Sequence, residues 1–283
     1  MLNAALLMQK RNFRHLPVTD ASSGRILGLI SAQDIIDSLA LVLEHRSTST
    51  DVIRSLQIPV ERIMSLHCIV VEPGDGFSDV AKKIVNQNLG AIPVVNEVGA
   101  VQGIVTLRDL VGLMGISSEP LNVDVSELMT PKAISIDRDE KISEAVRLMA
   151  TNRVRRLPIV NSESNDELLG MLTNKDILRH LGRLSSSGQE DREFDLEVKE
   201  FMTREVITIS GEDDIRTAAS RMMIFGVGGL AVDDAPDVAL ITERDLIRKL
   251  AQKRSLDFLM RSIQYETEAE NNGNASKAAY TSF

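Results

Sequence analysis

Apolar and polar positions along the chain change period in a fixed order, most legibly between residues 125 and 181. Residues 133–136 read as a short strand, and residues 141–150 space Ile142, Ala145, Val146 and Met149 along one face of a helix. Two apolar runs, 157–160 and 168–172, follow and are joined by a polar turn at 161–167. Thr173 then opens a second helical pattern through Ile177, Leu178 and Leu181. With residues 125–129 as a lead-in, the pattern predicts strand, helix, strand, strand, helix.

This order occurs four times. Leu16-Pro17-Val18, Ile92-Pro93-Val94, Leu157-Pro158-Ile159 and Leu230-Ala231-Val232 are each followed by a hairpin, a hydroxyl residue and, three positions on, an aspartate: Ser31 and Asp34, Thr106 and Asp109, Thr173 and Asp176, Thr242 and Asp245. The second residues of those strands are 17, 93, 158 and 231, too far apart for the short helical arrays. The expected fold class is α/β (α+β), with tandem repeats at 1–57, 58–118, 119–190 and 191–260 paired into two pseudo-twofold modules, and a polar tail at 261–283. Linkers are expected at 44–57, 115–124 and 184–195, where Ser, Thr, Gly and charged residues interrupt the apolar period.

Two repeats depart from the pattern. Repeat 2 has its lead-in at Ile63-Met64 and first strand at Ile69-Val70-Val71, and repeat 4 has Phe201-Met202 and Val206-Ile207-Thr208. Repeat 1 instead begins inside its first helix, with Ala4, Leu6, Leu7 and Met8, so either the chain boundary cuts this repeat or another segment replaces the strand. In repeat 4, Ala231 replaces the proline and Ala239 the glycine found at Gly28, Gly103 and Gly170, which predicts a different hairpin and cleft shape. The last helix reads from Thr242 to about residue 260, with Leu246, Ile247, Leu250 and Phe258 on an apolar side and Arg244, Arg248, Lys249, Lys253 and Arg254 supplying a solvated face.

Composition narrows the partners. A net charge of −9 opposes nonspecific attraction to nucleic acid or anionic membrane, and 3% aromatic residues leave little to stack on bases. No apolar run approaches the roughly 20 residues that cross a bilayer, and the N-terminal residues carry no secretory signal, so a cytoplasmic protein with no membrane partner is expected. The single cysteine, Cys68, cannot form an internal disulfide, and the adjoining Ile69-Val70-Val71 predict that it points from a buried strand.

The four motifs, and above all Arg155-Arg156-Leu157-Pro158-Ile159 with Gly170-Met171-Leu172-Thr173-Asn174-Lys175-Asp176, resemble the cystathionine-beta-synthase (CBS) domain family over residues 3–251. The resemblance implies that repeats pair through their sheets, with clefts for adenosine-containing ligands, and that four repeats make two modules, often arranged as a disc. A hydroxyl residue just before a helix can cap its free N–H groups, and an aspartate one turn on can accept from two adjacent ribose hydroxyls. Ser31, Asp34, Thr106, Asp109, Thr173, Asp176, Thr242 and Asp245 are therefore candidate ligand-binding residues. The competing reading makes them ordinary helix caps and dipole partners.

Phosphate requires positive charge. The two positions before each hairpin strand read Arg14-His15, Gly90-Ala91, Arg155-Arg156 and Gly228-Gly229. Arg153, Arg155 and Arg156 form the densest basic cluster, and with Arg14 and His15 they are the candidate phosphate ligands, since guanidinium forks suit phosphate oxygens. Sequence leaves open whether Arg155 and Arg156 serve the pocket of Asp176 or that of Asp245. The C-terminal module is expected to bind ligand better than the N-terminal one, which lacks a first strand.

Catalysis is not expected. His15, His45, His67 and His180 are scattered with no metal-ligand spacing, there is no Gly-x-Ser-x-Gly elbow, and Phe225-Gly226-Val227-Gly228-Gly229 is not followed by the Gly-Lys-Ser/Thr of a phosphate loop. The sequence is thus read as a non-enzymatic regulatory protein with no required cofactor. It would bind AMP, ADP, ATP or S-adenosylmethionine and pass occupancy to an unidentified regulated protein, with homodimerisation through the modules. A ligand-free interaction scaffold is the alternative, and a nucleic-acid binder a weaker third.

Overall fold

The computed structural model describes residues 1–45, 56–116, 120–187 and 194–252. Repeat 1 consists of α1 (Leu2–Arg11), β1 (His15–Thr19), β2 (Ile26–Ser31) and α2 (Ala32–His45). Repeat 2 has α3 (Phe77–Asn86), β3 (Ala91–Val95), β4 (Val101–Thr106) and α4 (Leu107–Ile116). Repeat 3 has β5 (Ile136–Asp137), α5 (Ile142–Asn152), β6 (Arg156–Asn161), β7 (Glu167–Thr173) and α6 (Asn174–Ser187). Repeat 4 has β8 (Thr208–Ile209), α7 (Ile215–Ile224), β9 (Gly229–Val232), β10 (Ala239–Thr242) and α8 (Glu243–Gln252). The expected residues of the last helix beyond 252, and the tail, lie outside the described residues.

Each hairpin is antiparallel, and the first strand, where present, adds parallel to its outer edge: β5 beside β6 and β8 beside β9. In repeat 2 that strand shrinks to a bridge between Val71 and Val94. Cys68 is therefore not in a strand; it lies in the irregular segment ahead of the bridge, half-buried, and burial raises its thiol pKa. The outer strand explains the proline. In repeat 2 the Pro93 carbonyl accepts from Val71 N–H at 3.1 Å, while the missing proline N–H leaves nothing unpaired. Where Ala231 takes its place, its N–H donates to the Ile207 carbonyl at 3.2 Å, so β8 gains a bond that proline could not make.

The first helix of every repeat ends in a left-handed residue that turns the chain into the hairpin: Asn12, Asn88, Arg153 and Gly226, with φ from 53° to 65°. Asparagine and glycine tolerate that conformation, whereas Arg153 adopts it at a cost of roughly 1 kcal/mol or more.

Two cores form, and each crosses the modules. Repeats 1 and 3 share one in which Met8, Ile35, Ile36 and Leu39 meet Ile142, Met149, Leu157 and Leu181. Repeats 2 and 4 share the other, in which Ile84, Val111 and Met114 meet Ala218, Met222, Leu230 and Ile241. Helix pairs α1·α6, α2·α5, α3·α8 and α4·α7 carry these contacts. His180 is buried in the first core with its ring edge-on to Phe201, an interior position rather than a ligand position.

The lead-ins link the repeats within a module. Residues Val60–Arg62, Val125–Glu127 and Val198–Glu200 each make one 3-10 turn. Just beyond each turn, the chain pairs with the hairpin of the other repeat: Ser65 with Leu29, Thr130 with Leu240, and Thr203 with Met171. Each pair exchanges two backbone bonds of 2.8–3.1 Å. Gly28 and Gly170 admit this approach, since a Cβ there would lie 2.8 Å and 2.6 Å from the sulfur of Met64 and Met202. Ala239 does not prevent it in repeat 4, where Ala133 N–H adds a further 2.8 Å bond to the Val238 carbonyl.

Candidate functional site

All four hydroxyl–aspartate pairs close as helix caps. One carboxylate oxygen, Oδ2, accepts from both the backbone N–H and the hydroxyl of the residue three positions earlier. The hydroxyl bonds measure 2.8 Å at Ser31–Asp34, 2.7 Å at Thr106–Asp109, and 2.6 Å at both Thr173–Asp176 and Thr242–Asp245. Capping is real, and it fixes the carboxylate while leaving Oδ1 for another partner. Arg179 Nη1 donates to Oδ1 of Asp176 at 2.8 Å, whereas Oδ1 of Asp245 has no hydrogen bond among the described residues.

In the C-terminal module two of these aspartates border clefts. The cleft at Asp245, about 360 Å³, is walled by Thr130, Lys132, Ala133 and Ile134 of repeat 3, with Arg153, Arg155 and Arg156 on another side. The cleft at Asp176, about 180 Å³, is walled by Thr203, Glu205, Val206 and Ile207 of repeat 4. Each therefore combines the aspartate of one repeat with the segment of its mate that runs from the lead-in toward the first strand. Arg155 and Arg156 border both clefts.

The alternation of charge and glycine before the hairpin strands now has a steric cause. A Cβ at Gly228 or Gly229 would lie 2.7 Å or 2.6 Å from the guanidinium nitrogens of Arg156. At Gly90 it would lie 2.4 Å from His15 Nε2 and 3.0 Å from Arg155 Nη2. The glycines of repeats 2 and 4 make room for His15 of repeat 1 and for Arg155 and Arg156 of repeat 3, so the four repeats meet around one basic centre.

The counter-charge at that centre is Glu243, whose side chain is 4% exposed. Arg14 Nη1 donates to its Oε2 at 2.8 Å, and Arg14 Nη2 and Arg108 Nε both donate to its Oε1 at 3.0 Å. Burial opposes ionisation of Glu243, but Arg14, Arg156 and Arg108 outweigh it and hold the carboxyl down to about 2. The cations exceed it in number. Burial, then repulsion from Arg244, Arg14 and Arg156, lowers Arg155 to about 9. Burial lowers Arg156 to about 10, and burial with repulsion from Arg14 and Arg108 lowers Lys175 to about 8. All three stay charged at neutral pH. His15 is pushed down to about 3, first by burial and then by Arg155 and Arg14, so it is neutral there and adds no charge.

The candidates thus divide. Asp176, Asp245, Thr173, Thr242, Arg153, Arg155 and Arg156 border the clefts, and Arg14 joins the cleft at Asp176 from the other module. Ser31, Asp34, Thr106 and Asp109 form their caps but border neither of these clefts, and Asp109 is exposed. Arg108, Lys175 and Glu243 belong to the centre and were not singled out from the sequence. The signal for two of them lay in the position before each motif aspartate, which reads Gln33, Arg108, Lys175 and Arg244. Among the described residues, no three His, Cys, Asp or Glu side chains converge to hold a metal, and no helix is long and apolar enough to cross a membrane.

The CBS domain family model matches residues 1–41, 60–115, 125–183 and 198–252. The chain is similar to an uncharacterised 33.4 kDa protein in a ribosomal RNA operon of Thermofilum pendens, 27% identical over 271 residues that make up 92% of this chain and 88% of the relative. It is similar to protein MJ1225 of Methanocaldococcus jannaschii, 25% identical over 259 residues, or 88% of this chain and 91% of that one. The crystal structure of MJ1225, described as a candidate archaeal homologue of g-AMPK, matches with a TM-score of 0.75 at 24% identity over 87% of this chain and 91% of that chain. An uncharacterised conserved protein from Pyrococcus horikoshii matches with a TM-score of 0.58 at 20% identity, over 84% and 91% of the two chains. The basic centre and the exchanged lead-ins are thus built on a four-repeat scaffold, and the chain belongs to the CBS domain family.

Proposed function

We propose that the protein is a regulatory sensor that binds an adenosine phosphate in the two clefts of its C-terminal module. The single observation that carries this reading is the surplus of partly desolvated cations, Arg14, Arg108, Arg155, Arg156 and Lys175, gathered around the one carboxylate of Glu243 between two clefts that each offer a fixed aspartate. Asp245 would accept from the ribose hydroxyls through Oδ1, and Arg155 and Arg156 would take the phosphate by charge-assisted bonds. The same surplus repels a sulfonium, so AMP, ADP and ATP fit this centre better than S-adenosylmethionine. Because the centre joins all four repeats, a bound phosphate would favour one arrangement of the two modules and so supply the differential that a regulated partner could read.

Thermal unfolding in the presence of AMP, ADP, ATP, S-adenosylmethionine and GMP tests the reading. A ligand at about 100 times its dissociation constant adds roughly 2.7 kcal/mol, a rise of several degrees for a chain of this size. The rise is expected with the adenine nucleotides and not with GMP. A cooperative transition that none of them moves would favour the scaffold reading, for which Glu243 is the specific support, since it already pairs Arg14 and Arg108 from within the chain.

A further inference from the structure

Among the described residues, the hairpin of repeat 2 lacks what the other three have. Leu29, Met171 and Leu240 each exchange two backbone bonds with a lead-in. Their counterpart is Ile104, which stands opposite Pro93 in the register. The Pro93 carbonyl is turned away toward Val71, so antiparallel alternation turns the N–H and carbonyl of Ile104 to the free edge. Gly28 and Gly170 are buried against a lead-in methionine, but a Cβ on Gly103 would meet nothing within 4 Å among the described residues. The outer edge of β1 is likewise without the strand or bridge that lies beside β3, β6 and β9 among the described residues.

The three observed lead-ins follow one pattern. An aliphatic residue begins the 3-10 turn, a hydrophobic residue and a methionine follow three and four positions later, and apolar residues stand five and seven positions beyond the methionine. They are Val60, Ile63, Met64, Ile69 and Val71; Val125, Leu128, Met129, Ile134 and Ile136; and Val198, Phe201, Met202, Ile207 and Ile209. Its first four positions occur once more, in Leu256, Leu259, Met260 and Tyr265, while the fifth is Thr267, polar but β-branched and strand-favouring.

Connectivity brings this fourth copy to the free edge. The lead-in that follows α4 of repeat 2 docks on repeat 4, where Asp124 bridges Asp214 at the start of α7 and Val125 N–H bonds the Asp213 carbonyl at 2.9 Å. The pseudo-twofold relation between the modules sends the segment after α8 of repeat 4 onto repeat 2. The end of α3, at Ile84, Val85 and Leu89, shares a crevice with Arg244, Ile247 and Arg248 at the start of α8. The same relation sets the end of α8, at Gln252, toward Gly76 at the start of α3, as the segment after α4 is set against Asp214 at the start of α7. From Gln252, three residues reach Ser255, a span of up to about 10 Å.

We propose that residues 255–267 of this chain dock as the fourth lead-in and the missing first strand, with Arg261 exchanging backbone bonds with Ile104 and Tyr265 to Thr267 pairing along β1. Repeat 1 is then completed from the opposite end of the chain, and the ring of four lead-in exchanges is closed. The proposal concerns chain pairing and stands whether or not a nucleotide binds.

Hydrogen exchange on the full chain tests it. The Ile104 amide is expected to exchange about tenfold or more slower than an open strand edge, and Met260→Asp or Leu256→Asp is expected to abolish that protection without moving the rest of β3 and β4. Gly103→Leu is expected to lower the unfolding midpoint in the wild-type background and to leave it unchanged in Met260→Asp, because only the docked methionine is displaced. An unprotected Ile104 amide overturns the proposal, as does an equal cost of Gly103→Leu in both backgrounds. Protection that survives both aspartate variants, or that grows with protein concentration, assigns the edge to another segment or to a second copy and overturns it equally.

Discussion

The N-terminal and C-terminal modules carry the same hydroxyl–aspartate caps, yet the two clefts that the described residues form at the basic centre belong to the C-terminal one. Thr106–Asp109 and Thr242–Asp245 are capped within 0.1 Å of each other, 2.7 Å against 2.6 Å. What differs is the wall and its charge. Asp245 faces Thr130 to Ile134 of the mate repeat with Arg155 and Arg156 beside them, while no corresponding segment covers Asp109 among the described residues; with residues 255–267 docked there, the positions matching Arg155 and Arg156 are still Arg14, already paired with Glu243, and the neutral His15. A cap is thus a local property of four residues, and a cleft is a property of two repeats. The motif alone does not separate them.

The largest expected effect falls on the centre that unites both modules. Glu243→Ala leaves Arg14, Arg108 and Arg156 facing one another without a counter-charge and should cost about 3–5 kcal/mol in chemical denaturation. AMP should recover part of that loss if phosphate takes the place of the carboxylate. Next is Arg156→Ala, which removes a cation bordering both clefts and should weaken nucleotide binding about tenfold to a hundredfold in titration calorimetry, as loss of charged hydrogen bonds does. An unchanged affinity would detach the arginines from the ligand. Smaller still, Asp109→Ala and Asp245→Ala should each cost about 1 kcal/mol of stability through the lost cap, but only the second should weaken nucleotide binding.

Acid should expose the half-buried histidine of the N-terminal module, His15. His15 has a folded-state pKa of about 3 against an ordinary 6.5, so below 6.5 the unfolded chain takes a proton that the folded one refuses. Its contribution is complete above pH 6.5 and is lost progressively as the pH falls toward 3. Glu243, held at about 2 against an ordinary 4.5, adds a second loss only below 4.5. Stability measured between pH 6.5 and 4.5 should therefore slope in the wild type and flatten in His15→Gln. Equal slopes in that window would place the titrating group elsewhere.

The repeat order, the hairpins and the caps were legible because each rests on residues near in sequence: Thr173 and Asp176, or Leu157 and Leu172 across one turn. The alternating Arg and Gly before the strands was visible as a pattern but not as a fit, since Arg156 meets Gly228 and Gly229 more than seventy positions away. Glu243 was hidden for the same reason. It replaces a neutral residue at one motif position, and its partners Arg14 and Arg108 lie in the other module. The first strands were read as longer than they are, because Val70 and Val206 carry strand-forming side chains where the parallel pairing has not begun.

Titration calorimetry of the full chain with AMP, run on the wild type and on Asp245→Ala, Asp176→Ala and Asp109→Ala side by side, tests the central claim most directly. The account predicts saturable binding that Asp245→Ala weakens most, Asp176→Ala weakens less because Arg179 already holds its second oxygen, and Asp109→Ala leaves intact. Binding that Asp109→Ala weakens as much as Asp245→Ala does, or no binding in the wild type, would contradict it.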